Sequence, residues 1–379
     1  MIDHDVLGSV TGEYEFGRGQ SKLGLREAIL MVIKAVVSLA LFGYHSVYLS
    51  SGYLLAPAVG AVFMGGIGYG CIRSSILAGA VEKSLGIKGY YVESLFELGE
   101  VLFPRNSKLR IVFGPLIFAL TLLSLGSVSI AGFLALELNI NEFFGFNMVF
   151  TKFLIYITVL LIIIYVPQPE KMKLFAYIAL VPVIVLSLLC PSIAVYQLSA
   201  VDPLAQGLKG FDTNDLSQSI GYSISALEII GYILNVRRMI KKKKDFLKAC
   251  KVSFLITSLM YLIPGLLMYL RFGVSLLNVP LYYKAYSTIW IVYIFDCLMT
   301  LNFIYTLPIQ TYFSMELLEK TRLSRTILRD SNLNLDHIKV VVCRIVFITL
   351  IAILTFMITD IQMVYSLSGI LINSLLGLV

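Results

Sequence analysis

SIGYSISALEIIGYILNVRRMIKKKK, residues Ser219 to Lys244, is the stretch on which the reading of this chain turns. It is an apolar span that contains Gly221 and Gly231, the small hydroxyls Ser223 and Ser225 and one carboxylate, Glu228, and it closes on a basic run. A carboxylate at that depth of a bilayer costs about 2.5–3.5 kcal/mol on insertion scales, so Glu228 has to face protein or water. The glycines and serines weaken the helix at the same level, and irregular backbone persists inside a membrane only where it lines a cavity or is buried in protein. A discontinuous helix with an acid at its break is the expected mark of a transport site. Glu228 is therefore a candidate ion-coupling residue, and Gly221, Tyr222, Ser223, Ile224 and Ser225 are candidate substrate contacts.

Composition agrees with a membrane setting. The chain is 58% hydrophobic and 14% charged, with a mean hydropathy of +0.86, values that exclude an ordinary soluble domain. Its 379 residues hold about ten spans of roughly 20 residues and leave no room for a large soluble domain. We expect residues 1–27 to form a mobile cytosolic tail and 28–379 the transmembrane domain. The net charge of +7 does not point to nucleic acid, because the basic residues are interleaved with the spans. Five cysteines, Cys71, Cys190, Cys250, Cys297 and Cys343, lie in or beside apolar segments with no CxxC pair, so they read as buried free thiols. No phosphate-binding Gly loop, catalytic triad order or cluster of metal ligands is present, and we expect no cofactor, no metal and no enzymatic role.

Working outward, the expected spans are 28–50, 54–71 with an extension toward 81, 111–136, 148–166, 174–196, 216–236, 252–270, 286–313, 340–359 and 361–379. Between the first two, Ser51, Gly52, Tyr53 and then Pro57 spell a tight turn. Placing the N-terminus inside puts Arg18, Lys22 and Arg26 on the inner side. The basic residues from Arg73 to Arg110, Lys171 and Lys173, the run from Arg237 to Lys251, and the set from Lys320 to Arg344 fall there too. Only Lys152, Lys209, Arg271 and Lys284 fall outside, the asymmetry that the positive-inside rule requires. The run Lys241 to Lys244 reads as a solvated inner loop that fixes topology or, more sharply, as a contact for anionic lipid headgroups at about 1 kcal/mol per basic residue.

Four motifs carry a resemblance. The stretch Ile220 to Gly231 is similar to the sixth span of the amino acid/auxin permease family, especially its proton-coupled amino acid transporters, with Ile229 where the family has its middle Gly. Lys34 through His45 resembles that family's first span, in which a Lys, or an Asn in sodium-coupled relatives, precedes a Gly-x-Gly break; here Ser38 and Ala40 replace the two glycines. Tyr305 to Tyr312 with Glu316 and Glu319 is similar to the eighth span, and Leu367, Ser368 and Gly369 to the tenth. The family's usual eleventh span has no counterpart in this sequence.

The resemblance implies a leucine-transporter-type architecture, two inverted five-helix halves with spans one and six discontinuous. It also implies an amino acid substrate, cradled by Ser38, Leu39, Ala40 and Gly43 of the first span and Gly221 to Ser225 of the sixth. Elementary electrostatics agrees: a half-helix N-terminus favours a carboxylate, and freed carbonyls accept from an ammonium. Lys34 reads either as a lysine reaching to the inner boundary or as a fixed ammonium in the place sodium fills in relatives. His45 reads either as a hydrogen-bonded core histidine or as a proton-coupling group. Asp296 must face the aqueous path or a partner and is the last coupling candidate.

The expected function is secondary transport, active or facilitated, of a neutral or cationic amino acid, coupled to protons rather than sodium. Its partners are the amino acid, protons and membrane lipid. A transport-silent sensor or scaffold of the same fold is the alternative. A membrane-embedded enzyme would need Glu228, Asp296 and His45 to meet in one cavity. Plasma membrane and vacuolar or lysosomal membrane both remain open.

Overall fold

The first span starts as a helix and stops short. In the computed structural model α1 covers Leu25–Val36, and at its start the Gly24 amide donates to Glu27 Oε2 at 2.9 Å, the N3-to-N-cap half of a capping box. Its twelve residues reach about 18 Å, too little for a hydrocarbon core of about 30 Å. Val37 is already extended, with φ −74° and ψ 99°. The Val36 carbonyl is one of those that a helix end leaves without a partner, and it accepts from the Tyr261 hydroxyl at 3.1 Å.

The structure describes residues 24–37, 44–85, 92, 95–102, 108–165, 169–200, 207–226, 233–238, 240, 243–273, 289–319, 337–358 and 361–373. After α1 come α2 (His45–Leu85), α3 (Leu95–Leu102), α4 (Lys108–Phe144), α5 (Met148–Tyr165) and α6 (Pro169–Ala200). Then follow α7 (Leu216–Ala226), α8 (Ile233–Arg238), α9 (Lys243–Phe272), α10 (Ile289–Glu319), α11 (His337–Met357) and α12 (Ile361–Leu367). The last of these runs into a π-helical turn, Ser368–Asn373. Among the described residues every regular element is helical, as the sequence predicts.

α2 is two helices joined at Gly52, whose φ of 81° and ψ of 166° interrupt it. This is the turn anticipated from Gly and Pro, and only Gly fits it: a Cβ there would lie 2.5 Å from the Gly210 carbonyl oxygen. The loop before α7 stitches the turn shut. The Tyr53 and Leu54 amides donate to the carbonyls of Lys209 and Gly210 at 3.1 and 3.0 Å, and the Asp212 amide donates to the Ser51 carbonyl at 3.0 Å. Groups orphaned at the end of one helix and the start of the next are thereby satisfied. The loop is itself held by the Lys209–Asp212 pair at 2.5 Å. That bond, ahead of the Asn214 amide, keeps the Asp212 carboxyl below its ordinary range.

Packing places the interrupted first span and α7 at the centre. α2 lies on α7 and α9, α1 on α9 and α6, α4 and α6 on α10, and α7 on α12 and the π-helical turn. From Ser219 to Ala226 every residue of α7 except Ile220 is buried. The outer helices instead show apolar faces, such as Phe150 and Phe153 on α5 and Val346 and Leu350 on α11, as lipid contact requires. Among the described residues four helices are long and apolar enough to cross a membrane, within His45–Leu85, Pro115–Asn141, Lys244–Phe272 and Ile338–Met357.

Among the described residues three ion pairs tie helix to helix. Arg237 of α8 grips Glu82 of α2 with bonds of 2.7 and 3.0 Å, and Glu82 also accepts the Val92 amide at 3.0 Å. Lys152 of α5 lies 3.5 Å from Glu137 of α4 and donates to the Thr355 carbonyl near the end of α11 at 2.7 Å. Arg344 of α11 meets Glu319 of α10 at 2.8 Å. Arg237, Lys152 and Arg344 count as boundary charges in the sequence reading; the structure buries all three against carboxylates, since a charge removed from water must be paired. Of the cysteines, Cys71 and Cys250 are buried as expected, whereas Cys297 is exposed and Cys343 half-buried. A thiol behaves as a small hydrophobe and is tolerated on an apolar surface.

Gly52→Ala combines a left-handed backbone with a backbone clash and should lower stability by about 1–3 kcal/mol. Gly66→Ala, with open space at its Cβ, should not, and thermal unfolding in detergent compares the two. Arg237→Ala should cost about 3–5 kcal/mol by leaving Glu82 buried without its cation, and replacing both residues by apolar side chains should recover most of it. A loss below about 1 kcal/mol for the single variant would place the pair in effective contact with water.

Candidate functional site

The site is built around the end of α1. One turn before that end, the Lys34 ammonium is buried and donates to Asn302 Oδ1 at 2.8 Å and Thr306 Oγ1 at 2.6 Å, both on α10. Thr306 in turn lies 3.1 Å from Asn302 Oδ1. The two acceptors are four residues apart and so share a helix face. The Lys34 side chain thus turns inward to α10 and does not reach for the membrane boundary.

On the far side of the break the chain resumes with Tyr44 and His45, both buried. The Tyr44 hydroxyl lies 3.3 Å from Ser223 Oγ of α7 and 3.5 Å from Met64 Sδ of α2. Its ring meets Tyr222 of α7 edge-on at 6.3 Å, Tyr48 edge-on at 6.3 Å and Tyr261 of α9 at 5.3 Å. Tyr48 stacks on Tyr269 at 6.2 Å and donates to the Leu262 carbonyl at 2.7 Å. Tyr269 accepts the Lys209 amide of the loop before α7 at 3.0 Å. Tyr261 is the hub, because the hydroxyl that caps Val36 belongs to a ring packed on Tyr44. Two glycines make the room: a Cβ at Gly265 would lie 2.9 Å from the Tyr48 ring, and one at Gly60 would strike the Tyr44 hydroxyl.

Tyr222 and Ser223, named from the sequence, thus meet Tyr44 across the break, and Ile224 and Ser225 are buried beside them on α7. Gly221 faces the tenth span. A Cβ on it would lie 2.6 Å from the Ser366 carbonyl oxygen, and one on Gly369 would run into the Gly221 carbonyl, so here the glycine serves backbone packing. Asp296 is buried on α10, six residues and about 9 Å of helix rise from Asn302. Its carbonyl accepts from Asn139 Nδ2 of α4 at 3.0 Å. Ser38, Leu39, Ala40, Gly43 and Glu228 lie outside the described residues. Among the described residues no group of His, Cys, Asp and Glu has the grouping of a metal site.

Sequence reasoning passed over Tyr44, Tyr48, Tyr261, Tyr269, Asn302 and Thr306 as site residues. A polar pair four apart in an apolar span, Asn302 and Thr306, was a usable signal, since both must face inward. The tyrosines carried a weaker one: Tyr44 and Tyr48 are also four apart, but aromatics on a membrane helix have many reasons to be there.

With this geometry in hand, comparison with solved structures is informative. A Na+-coupled sialic acid symporter in its substrate-bound outward-open state superposes with a TM-score of 0.60 at 13% identity, covering 93% of this chain and 80% of that one. Mhp1 in an inward-facing conformation gives a TM-score of 0.57 at 14% identity, covering 97% and 77%. At such identities the likeness is one of fold, the leucine-transporter type of polytopic helical membrane protein. No match was found among curated protein sequences. The model of the family described as transmembrane amino acid transporter protein matches residues 21–379, and the chain, an integral membrane protein, belongs to that family.

Proposed function

We propose that this transporter moves a neutral or cationic amino acid, as an active carrier or a facilitator, and that it couples to protons rather than sodium. The observation that carries the second half is the Lys34 ammonium seated on Asn302 and Thr306. A tethered cation between the first and eighth spans supplies the positive charge that a bound sodium ion would otherwise bring, and a donor-only group cannot share that place with a metal ion. Glu228, read from the sequence, is the proton carrier or the partner of the substrate ammonium.

The substrate would lie against Tyr44, Tyr222 and Ser223, with the end of α1 and the start of α2 on either side. Carbonyls at the end of α1 suit an ammonium, and amides at the start of α2 suit a carboxylate. The tyrosines supply apolar walls with polar tips. Alternating access would rock the discontinuous spans against the surrounding helices, with the N-terminus on the cytosolic side. The positive-inside asymmetry supports that orientation.

Uptake of a panel of labelled amino acids into proteoliposomes, with and without an inward proton gradient, tests the reading. One pH unit corresponds to about 1.4 kcal/mol and so supports up to about tenfold accumulation of a substrate coupled to one proton. Glu228→Gln should flatten the pH dependence of uptake, and an unchanged pH profile would remove Glu228 from the carrier role. Binding of an amino acid with no uptake under any gradient would favour the sensor alternative.

A further inference from the structure

Two buried hydrogen-bond donors near the end of α1 have no acceptor among the described residues. The Lys34 ammonium carries three N–H groups, and among the described residues its partners are Asn302 Oδ1 and Thr306 Oγ1. The Asn302 amide is wholly buried, and its Nδ2 has no partner. Its orientation is set by chemistry: flipping it would turn an NH2 toward a donor-only ammonium. The local acceptors are already engaged, because Asn302 Oδ1 takes both Lys34 and the Thr306 hydroxyl proton, and Thr306 Oγ1 takes Lys34. Each carboxylate of the three buried ion pairs holds another cation. A buried positive charge whose partners are neutral, beside a buried amide donor facing nothing, wants a negative acceptor, since leaving such groups unmet is costly.

We infer that the Lys34–Asn302 corner is a binding site for a monovalent anionic group, a halide ion or a carboxylate, held by the third N–H of Lys34 and by Asn302 Nδ2. Hard cations are refused, because the corner has no spare acceptor. The carboxylate form of the inference rests on the transport reading above, with the substrate as its source; the halide form does not.

The test is thermal unfolding of the purified protein in lipid nanodiscs, in choline isethionate, with choline chloride titrated at constant ionic strength. A parallel arm adds each of the common amino acids or its amide. A saturable rise in the unfolding midpoint with chloride identifies a free anion. A rise with an amino acid but not with its amide identifies the substrate carboxylate. In either case Asn302→Asp, which places a carboxylate beside Lys34, should weaken the effect more than tenfold while unfolding at or above the wild-type midpoint in isethionate. Lys34→Met should abolish it, which keeps the test sound if Asn302→Asp folds poorly. No shift in the wild type from chloride or any amino acid, or a shift unchanged in both variants, would overturn the inference and assign the corner to water. Uptake that survives Asn302→Asp with unchanged affinity would remove the carboxylate form of the inference and leave the transport reading intact. A chloride shift in a protein that transports nothing would remove the transport reading alone.

Discussion

A helix that ends inside a membrane has to hand its last carbonyls to something other than water, and that constraint shapes this molecule. α1 stops at Val36, and a hydroxyl from α9, Tyr261, takes the carbonyl. The ring carrying that hydroxyl needs its own place, which it finds against Tyr44, the residue from which the chain resumes. Tyr44 then reaches Ser223 on α7. A single backbone interruption thus couples the first, sixth and seventh spans through aromatic and hydroxyl groups, and Gly60 and Gly265 are small because those rings occupy the space.

The same end of α1 presents a charge. Lys34 sits in the last turn, where the helix dipole favours a cation, and α10 receives it with two neutral acceptors. The tyrosine hub and the lysine corner flank one break, one facing α9 and the other α10. Near the start of α2 the loop at Lys209 to Asp212 ties the turn at Gly52 to Tyr269. Near its other end Arg237 ties α8 to α2. The two ends of α2 are thus tied by different partners, the loop before α7 at one and α8 at the other.

Much of the fold was legible in the sequence, because bilayer thickness, charge asymmetry and turn residues act locally: Gly52 was readable as a turn and 148–166 as a span without any knowledge of their neighbours. What was not legible depends on register between distant segments. Lys34 and Asn302 are 268 residues apart, and nothing local says that an intramembrane lysine will find an amide rather than the boundary. Arg237 and Lys152 look like topology signals until the partner carboxylates, 155 residues away in one case, are in place. Gly221 shows the same dependence: nothing local says that its missing side chain admits the tenth span.

The account stands on a lysine ammonium held between the first and eighth spans in place of a mobile cation. Initial rates of amino acid uptake into proteoliposomes, measured with sodium fully replaced by choline at fixed pH and ionic strength, test this most directly. The account predicts rates equal in the two media; uptake that disappears without sodium would contradict it.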